Sequence, residues 1–140
     1  MTNKPSPPSI VILAGGALML IGSFLSFYGY GSITFSAWSS AHGYGLFGIA
    51  TVAVLCGVVM AGQIAITEFA KGVTLPSAVL GLSWDQIHLA LGFQAAIVML
   101  AFLARNRAGA SFGIGFWLML PAGIALLAGA VMRITGVGGK

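Results

Sequence analysis

The sequence predicts an all-α membrane protein, a bundle of four transmembrane helices with an aromatic outer loop between the first helix and the second. Hydrophobic residues make up 59 % of the 140-residue chain and charged residues only 6 %, whereas a soluble domain carries about 25 % charged residues. Four apolar stretches also reach the length of about 20 residues that a membrane-crossing helix needs. They cover residues 10–28, 44–67, 84–104 and 112–132.

These stretches form one expected transmembrane domain, residues 10–133, between two short tails. Residues 1–9 contain three prolines and are expected to form a disordered cytoplasmic tail, and residues 134–140 a C-terminal tail. The first apolar stretch is longer than the roughly 7–15 residues of a signal-peptide core, so we expect it to be retained as a span.

Local signals mark the third and fourth helices. Ser83 and Gln86 have the spacing of a capping box at the start of the third helix. Asp85 lies in the first turn of that helix, where the positive end of the helix dipole stabilises a carboxylate. Pro121 lies inside the fourth stretch and predicts a kink there. The uncharged loop before the third helix is expected to form a short interfacial helix from Pro76.

The basic residues predict which side of the membrane each loop occupies. With four spans, one side holds Lys4, Lys71, Arg133 and Lys140, and the other holds Arg105 and Arg107. Cytoplasmic loops are enriched in Lys and Arg. The sequence therefore predicts a multi-pass protein of the plasma membrane with both termini in the cytoplasm.

Small residues and one amide are the candidates for helix packing. Ala53, Gly57, Ala61 and Ala65 recur every fourth residue and predict a stripe that lets another helix approach closely. That helix belongs either to this bundle or to a partner. Gln94, near the middle of the third span, is expected to face the bundle or a partner through an interhelical hydrogen bond, or to be a polar point on a permeation path.

Charged residues gather where the predicted cytoplasmic interface lies. They form either an anchor of neutralising pairs or a contact surface for a partner. The candidates are Glu68, Lys71, Asp85, His88 and Arg133.

The loop between the first two spans is uncharged and aromatic from residue 23 to residue 45. Its stretch "SITFSAW" alternates loosely between polar and apolar residues, as a hairpin strand does. The loop is expected to cap the outer end of the bundle, either as an aromatic belt or as an interaction loop. The candidate partner contacts are Tyr30, Phe35, Trp38 and Tyr44.

No catalytic, cofactor or metal site is expected from the sequence. His42 precedes the second span and His88 begins the third, so they are expected on opposite sides of the membrane, too far apart to bind one ion. Gly43, Gly45 and Gly48 have the spacing of a nucleotide-binding loop but no preceding strand. The scattered basic residues do not indicate nucleic-acid binding. We therefore expect a protein that is not an enzyme.

Several motifs resemble small tetraspan membrane proteins common in actinobacteria. They are "GGALMLIGSFLSFYGYG", "SAWSSAHGYGLFG", the "LP" before the third span, and "GFWLMLPAGIALLAGAVM". Ser26 stands where that pattern often has proline. The resemblance implies a plasma-membrane protein with its N-terminus inside, and some such proteins are accessory subunits of respiratory or lipid-transport assemblies.

The function expected from these observations is non-enzymatic: an accessory or stabilising subunit of a larger cell-envelope membrane complex. The alternative is a small oligomeric transporter or channel, although no carboxylate lies at mid-membrane depth to carry protons. The expected partners are membrane lipid and other integral membrane subunits, and a homo-oligomer is possible.

Overall fold

The computed structural model describes residues 4–38, 50–104 and 111–136. Within these residues the chain forms four long helices: α1 (Pro7–Phe24), α2 (Ala50–Phe69), α3 (Trp84–Ala104) and α4 (Ile114–Thr135). Each is long and apolar enough to cross a membrane, which confirms the four helices predicted from the sequence. The first helix ends four residues earlier than predicted, because the chain turns into a strand at Ser26.

The helices pack as a ring in chain order. α1 packs against α2 and α4, and α3 packs against the same two neighbours. Because the helices alternate in direction, α1 and α3 begin at the end of the bundle where α2 and α4 finish. We call this the polar end, for the side chains described below, and the opposite end the sheet end.

Among the described residues five short strands accompany the helices, so the mostly helical fold is confirmed and the all-α description holds only in part. Three of them, β1 (Ser26–Tyr30), β2 (Ile33–Ser36) and β5 (Ser111–Phe112), form one sheet in the order β2-β1-β5. Both neighbouring pairs are antiparallel, and Tyr28 lies opposite Phe35 on one side and Phe112 on the other. The hairpin strand predicted within the aromatic loop is thereby confirmed as β2.

The sheet closes one end of the bundle with aromatic rings. Phe27 and Tyr28, next to each other in β1, are both buried. The ring of Phe27 meets Phe102 of α3 and Phe116 of α4 edge to face, at centroid distances of 5.0 and 5.3 Å. Such pairs stabilise a core beyond the area that they bury. The sheet end is therefore a packed part of the core.

The polar end of α3 is built as the capping box predicts. The backbone N–H of Ser83 donates to Gln86 Oε1 at 2.9 Å, and the backbone N–H of Gln86 donates to Ser83 Oγ at 3.3 Å. Two-residue strands, β3 (Ala78–Val79) and β4 (Leu82–Ser83), pair just before it. Leu80 and Gly81 join them with φ of 53° and 81°, as in a tight hairpin turn. The helix predicted from Pro76 is therefore wrong.

Helix α4 continues through Pro121 to Thr135. It ends at Gly136, whose φ of 76° places it in the left-handed region that glycine adopts without a steric penalty. At the same end of the bundle, α1 starts at Pro7 and Pro8, where proline's fixed φ suits the first turn.

Candidate functional site

All four helices contribute a polar side chain to one cluster at the polar end. Arg133 of α4 donates from Nε to Asp85 Oδ1 of α3 at 3.0 Å, and from Nη1 to Ser9 Oγ of α1 at 3.4 Å. Ser9 Oγ donates in turn to Glu68 Oε1 of α2 at 3.4 Å. Ser6 extends the chain through a contact of 3.0 Å with Ser9. This polar cluster links the four helix ends by hydrogen bonds.

The ion pair within the cluster is only partly shielded from solvent. The side chains of Arg133 and Asp85 are 22 % and 24 % exposed. Ser9, which bridges the arginine to the second carboxylate, is completely buried. Arg133 contacts the Asp85 carboxylate directly and the Glu68 carboxylate through Ser9. In the described cluster its positive charge is therefore neutralised by carboxylates of the chain, which leaves it unsuited to binding an external anion.

Two further polar side chains are buried near this end. His88 lies one turn beyond Asp85 and is fully buried, and neither of its ring nitrogens has a hydrogen-bond partner among residues 4–38, 50–104 and 111–136. Gln63 of α2 is 7 % exposed, and its Oε1 likewise has no hydrogen-bond partner in the described chain. Unsatisfied buried groups cost free energy, and each calls for an explanation.

The predicted interface charges are brought together in part. Asp85 and Arg133 form the ion pair, Glu68 joins through Ser9, and His88 lies within electrostatic range of both members of the pair. Lys71 lies exposed in the turn after α2. Ser9 was missed, since a lone serine in the first turn of a helix carries no sequence signal for a bridging role.

The small-residue stripe of α2 lies against α1 in the N-terminal half of α2. Ala53 and Gly57 are buried, and a Cβ at Gly57 would lie 3.5 Å from Gly16 Cα of α1 and 3.2 Å from a methyl of Leu126 of α4. The prediction missed Gly16, where a Cβ would lie 2.5 Å from the Cβ of Ala61. The two glycines thus allow the α1 and α2 backbones to approach closely.

Farther along α2, the stripe borders a groove. Ala61 and Ala65 are half-buried, and they line an apolar groove between α1 and α2 together with Gly62. On its other side Gly62 borders a second groove, lined also by Gln63 and by Trp84 of α3. Within the part of the chain that the structure describes, a Cβ at Gly62 would meet nothing within 4 Å. The small residues of α2 therefore have two surroundings: Gly57 packs inside the bundle, and Gly62 lies on an open outer face.

Gln94 does not pack inside the bundle. It lies midway along α3 and is exposed, with Phe93 and Ile97 beside it on the outside. Of the expected placements, the one facing the bundle is therefore not found in the described chain, and those facing a partner or a permeation path stay predictions. Apolar residues lie on every side of α3, and its polar residues His88 and Gln94 differ in burial, the first being buried and the second exposed. No periodicity in its sequence therefore predicts its inward face.

Two of the proposed partner contacts are part of the chain's own fold. Trp38 donates from Nε1 to the buried Ser23 Oγ at 2.9 Å, and its ring stacks on that of Phe24 with a centroid distance of 5.9 Å. Phe35 packs against the core from β2. Both side chains therefore have contacts within the chain, and their role as partner contacts stays a prediction. Tyr30 lies in β1 opposite Ile33, and Tyr44 falls outside the described residues.

No three His, Cys, Asp or Glu side chains come together as a metal-ligand group in the described part of the chain. His42, Gly43, Gly45 and Gly48 fall outside that part. Comparisons with protein-family models, curated proteins and solved structures found no match to this chain.

Proposed function

We propose that this chain is a non-enzymatic integral protein of the plasma membrane that acts as an accessory subunit, binding and stabilising other integral subunits of a larger cell-envelope complex. The observation that carries the proposal is the outer face of α2 around Gly62. We define this face as Val58, Val59, Gly62, Ala65 and Ile66.

A glycine on this face has no packing role among the described residues. Gly62 costs helix stability, about 1 kcal/mol relative to alanine, and none of the described residues places an atom within 4 Å of where its Cβ would be. In lipid, small residues at a helix surface allow the backbone of another helix to approach, which gives association its packing energy. The position therefore suits a partner's helix lying across α2.

The groove beside Gly62 presents an apolar surface to a partner. Gln63 lines it, but its Oε1 is buried and accepts no hydrogen bond from the described residues. The expected occupant is therefore a helix with small and apolar residues, which packs on α2 through close approach of the two backbones.

The interior of the bundle favours this class over a transporter. Bulky apolar side chains fill its axis in the described residues, among them Ile12, Met19, Met60 and Met119, all completely buried. Transport through one copy would need polar groups at several depths. The resemblance to tetraspan proteins of actinobacteria, some of which are accessory subunits, supports the same proposal.

The partner is tested by purifying the tagged chain from its native membrane in mild detergent, with mass spectrometry of what co-elutes. We expect Gly62→Leu to reduce the co-eluting integral membrane proteins at least tenfold, because the new side chain holds the partner's helix away from α2. Ala128→Leu is the matched control, since Ala128 is a small exposed residue on α4, diagonally across the ring. It should keep the full set.

Retention of that set by Gly62→Leu would reject the docking face, and the absence of any stoichiometric partner from the wild-type preparation would reject the accessory role. Solute flux through liposomes that contain this chain alone would favour the transporter class instead.

Orientation is tested by cysteine labelling of intact cells. Ser32 is exposed in the turn between β1 and β2 at the sheet end, and Thr74 is exposed in the loop at the polar end. We expect a membrane-impermeant maleimide to label Ser32→Cys from outside and Thr74→Cys only after permeabilisation, because four basic residues favour a cytoplasmic polar end. The single native cysteine, Cys56, is buried. The reverse labelling pattern would overturn this orientation.

A further inference from the structure

The amide of Gln94 lies at the least suitable depth for a lipid-facing polar group. It is at the midpoint of α3, about 15 Å of helix from either end, and it is exposed. The hydrocarbon core of a bilayer is about 30 Å thick. The short glutamine side chain cannot bring its amide to the headgroups from there, as a longer lysine or arginine near a helix end can.

The surrounding surface of α3 leaves room for another helix. Within the described residues, 33 % of the most apolar 18-residue stretch of α3 is buried, against 44–50 % for the corresponding stretches of the other three helices. Ala90, Ile97 and Ala101 share the face of Gln94 by helical spacing, and all are exposed. One alanine therefore lies about one turn before the amide and the other two turns after it, so that a second backbone can come close to Gln94.

The chemistry of the amide favours a second copy of this chain as the occupant. An amide carries a carbonyl acceptor and an NH₂ donor, so it is complementary to itself. Copies inserted with one orientation place their Gln94 side chains at the same depth. A two-fold axis along the membrane normal then brings the same patch of both copies together.

We propose that this chain forms a parallel homodimer through the exposed face of α3, in which the two Gln94 amides hydrogen-bond to each other at mid-membrane depth. This interface lies on α3, apart from the α2 face assigned to a partner subunit. The inference rests on insertion of α3 in a bilayer and does not depend on which partner complex the chain joins.

The first test measures association of the full chain in lipid nanodiscs or detergent by fluorescence energy transfer between labelled copies. We expect Gln94→Leu to weaken dimerisation about three- to twentyfold, which is the range of interhelical hydrogen bonds in membranes. Gln94→Asn keeps an amide and should retain most of the affinity. Val131→Leu on α4, also an exposed apolar site, should leave the affinity unchanged.

The second test traps the dimer in the membrane by disulfide cross-linking in a Cys56→Ser background. We expect Ala101→Cys to form a cross-linked dimer on oxidation and Ala128→Cys on α4 to remain monomeric. A wild-type chain that stays monomeric, or a Gln94→Leu chain that dimerises as tightly as the wild type, would overturn the proposal. So would cross-linking of Ala101→Cys to a different protein in place of a second copy.

Discussion

Replacing Gly57 with leucine is expected to unfold or severely loosen the bundle, whereas the same replacement at Gly62, five residues later on the same helix, is expected to leave the fold intact. The difference follows from what each position faces. A Cβ at Gly57 already comes within 3.5 Å of atoms in both α1 and α4, and at Gly62 it meets nothing within 4 Å among residues 4–38, 50–104 and 111–136.

The larger effect arises because leucine at position 57 adds a branched side chain where three helices meet. Its Cγ and Cδ atoms must enter space held by Gly16, Met19 and Leu126. Met19 and Leu126 are themselves completely buried, so they cannot move into solvent or lipid. Overpacking a core costs about 1–3 kcal/mol and occasionally more, and we expect about 3 kcal/mol here since a backbone contact is also forced apart.

The comparison is read from the free energy of unfolding in mixed detergent micelles, followed by circular dichroism. Gly62→Leu should stay within about 1 kcal/mol of the wild type and even gain slightly from leucine's better helix propensity. Equal unfolding curves for Gly57→Leu and the wild type would show that α1 and α2 do not meet at this glycine. The same two proteins separate folding from partner binding, because Gly62→Leu should fold and yet lose its partner.

The helices were predictable because their cause is local. An apolar run of about 20 residues forms a helix in a bilayer, where each backbone group must be paired within its own segment. The start of α3 was predicted to the residue, since Ser83 and Gln86 form a capping box that needs no tertiary contact.

The strands escaped prediction where their cause is not local. β5 has two residues and pairs with β1, which lies far away along the chain. Nothing within Ser111–Phe112 therefore indicates a strand. The turn at Leu80 and Gly81 was missed for a related reason. A leucine at positive φ is rare, and Leu80 is 98 % exposed, so its residue type gives no sign of the turn that it occupies.

The candidate site likewise has features that were predictable from the sequence and features that depend on tertiary contacts. The charges at the polar end were predictable as a group, because charged residues avoid the hydrocarbon region and collect at helix ends. Their connectivity was not, since Ser9 bridges helices that are far apart in sequence. The outward position of Gln94 depends on how α3 is rotated in the bundle, and a helix with apolar residues on all sides does not encode that rotation.

The ion pair of the polar cluster is expected to make the second large contribution to stability. Asp85→Asn leaves the Arg133 guanidinium without the carboxylate that lies 3.0 Å from its Nε. Fully buried pairs lose about 3–5 kcal/mol when one partner is removed, and exposed pairs about 1 kcal/mol or less. With about three-quarters of each side chain buried, we expect a loss of about 2 kcal/mol.

A double-mutant cycle distinguishes a paired charge from two independent contributions. We expect Arg133→Gln alone to destabilise the fold because it leaves Asp85 without that cation. The double variant Asp85→Asn/Arg133→Gln should lose less than the two single losses added together, since neither residue then leaves an uncompensated charge behind. Lys71→Gln is the matched control: it removes a charge at the same end of the bundle, where Lys71 is exposed, and should change the free energy of unfolding by less than about 0.5 kcal/mol. Strictly additive single losses in the detergent-unfolding measurement would mean that Arg133 and Asp85 do not stabilise each other.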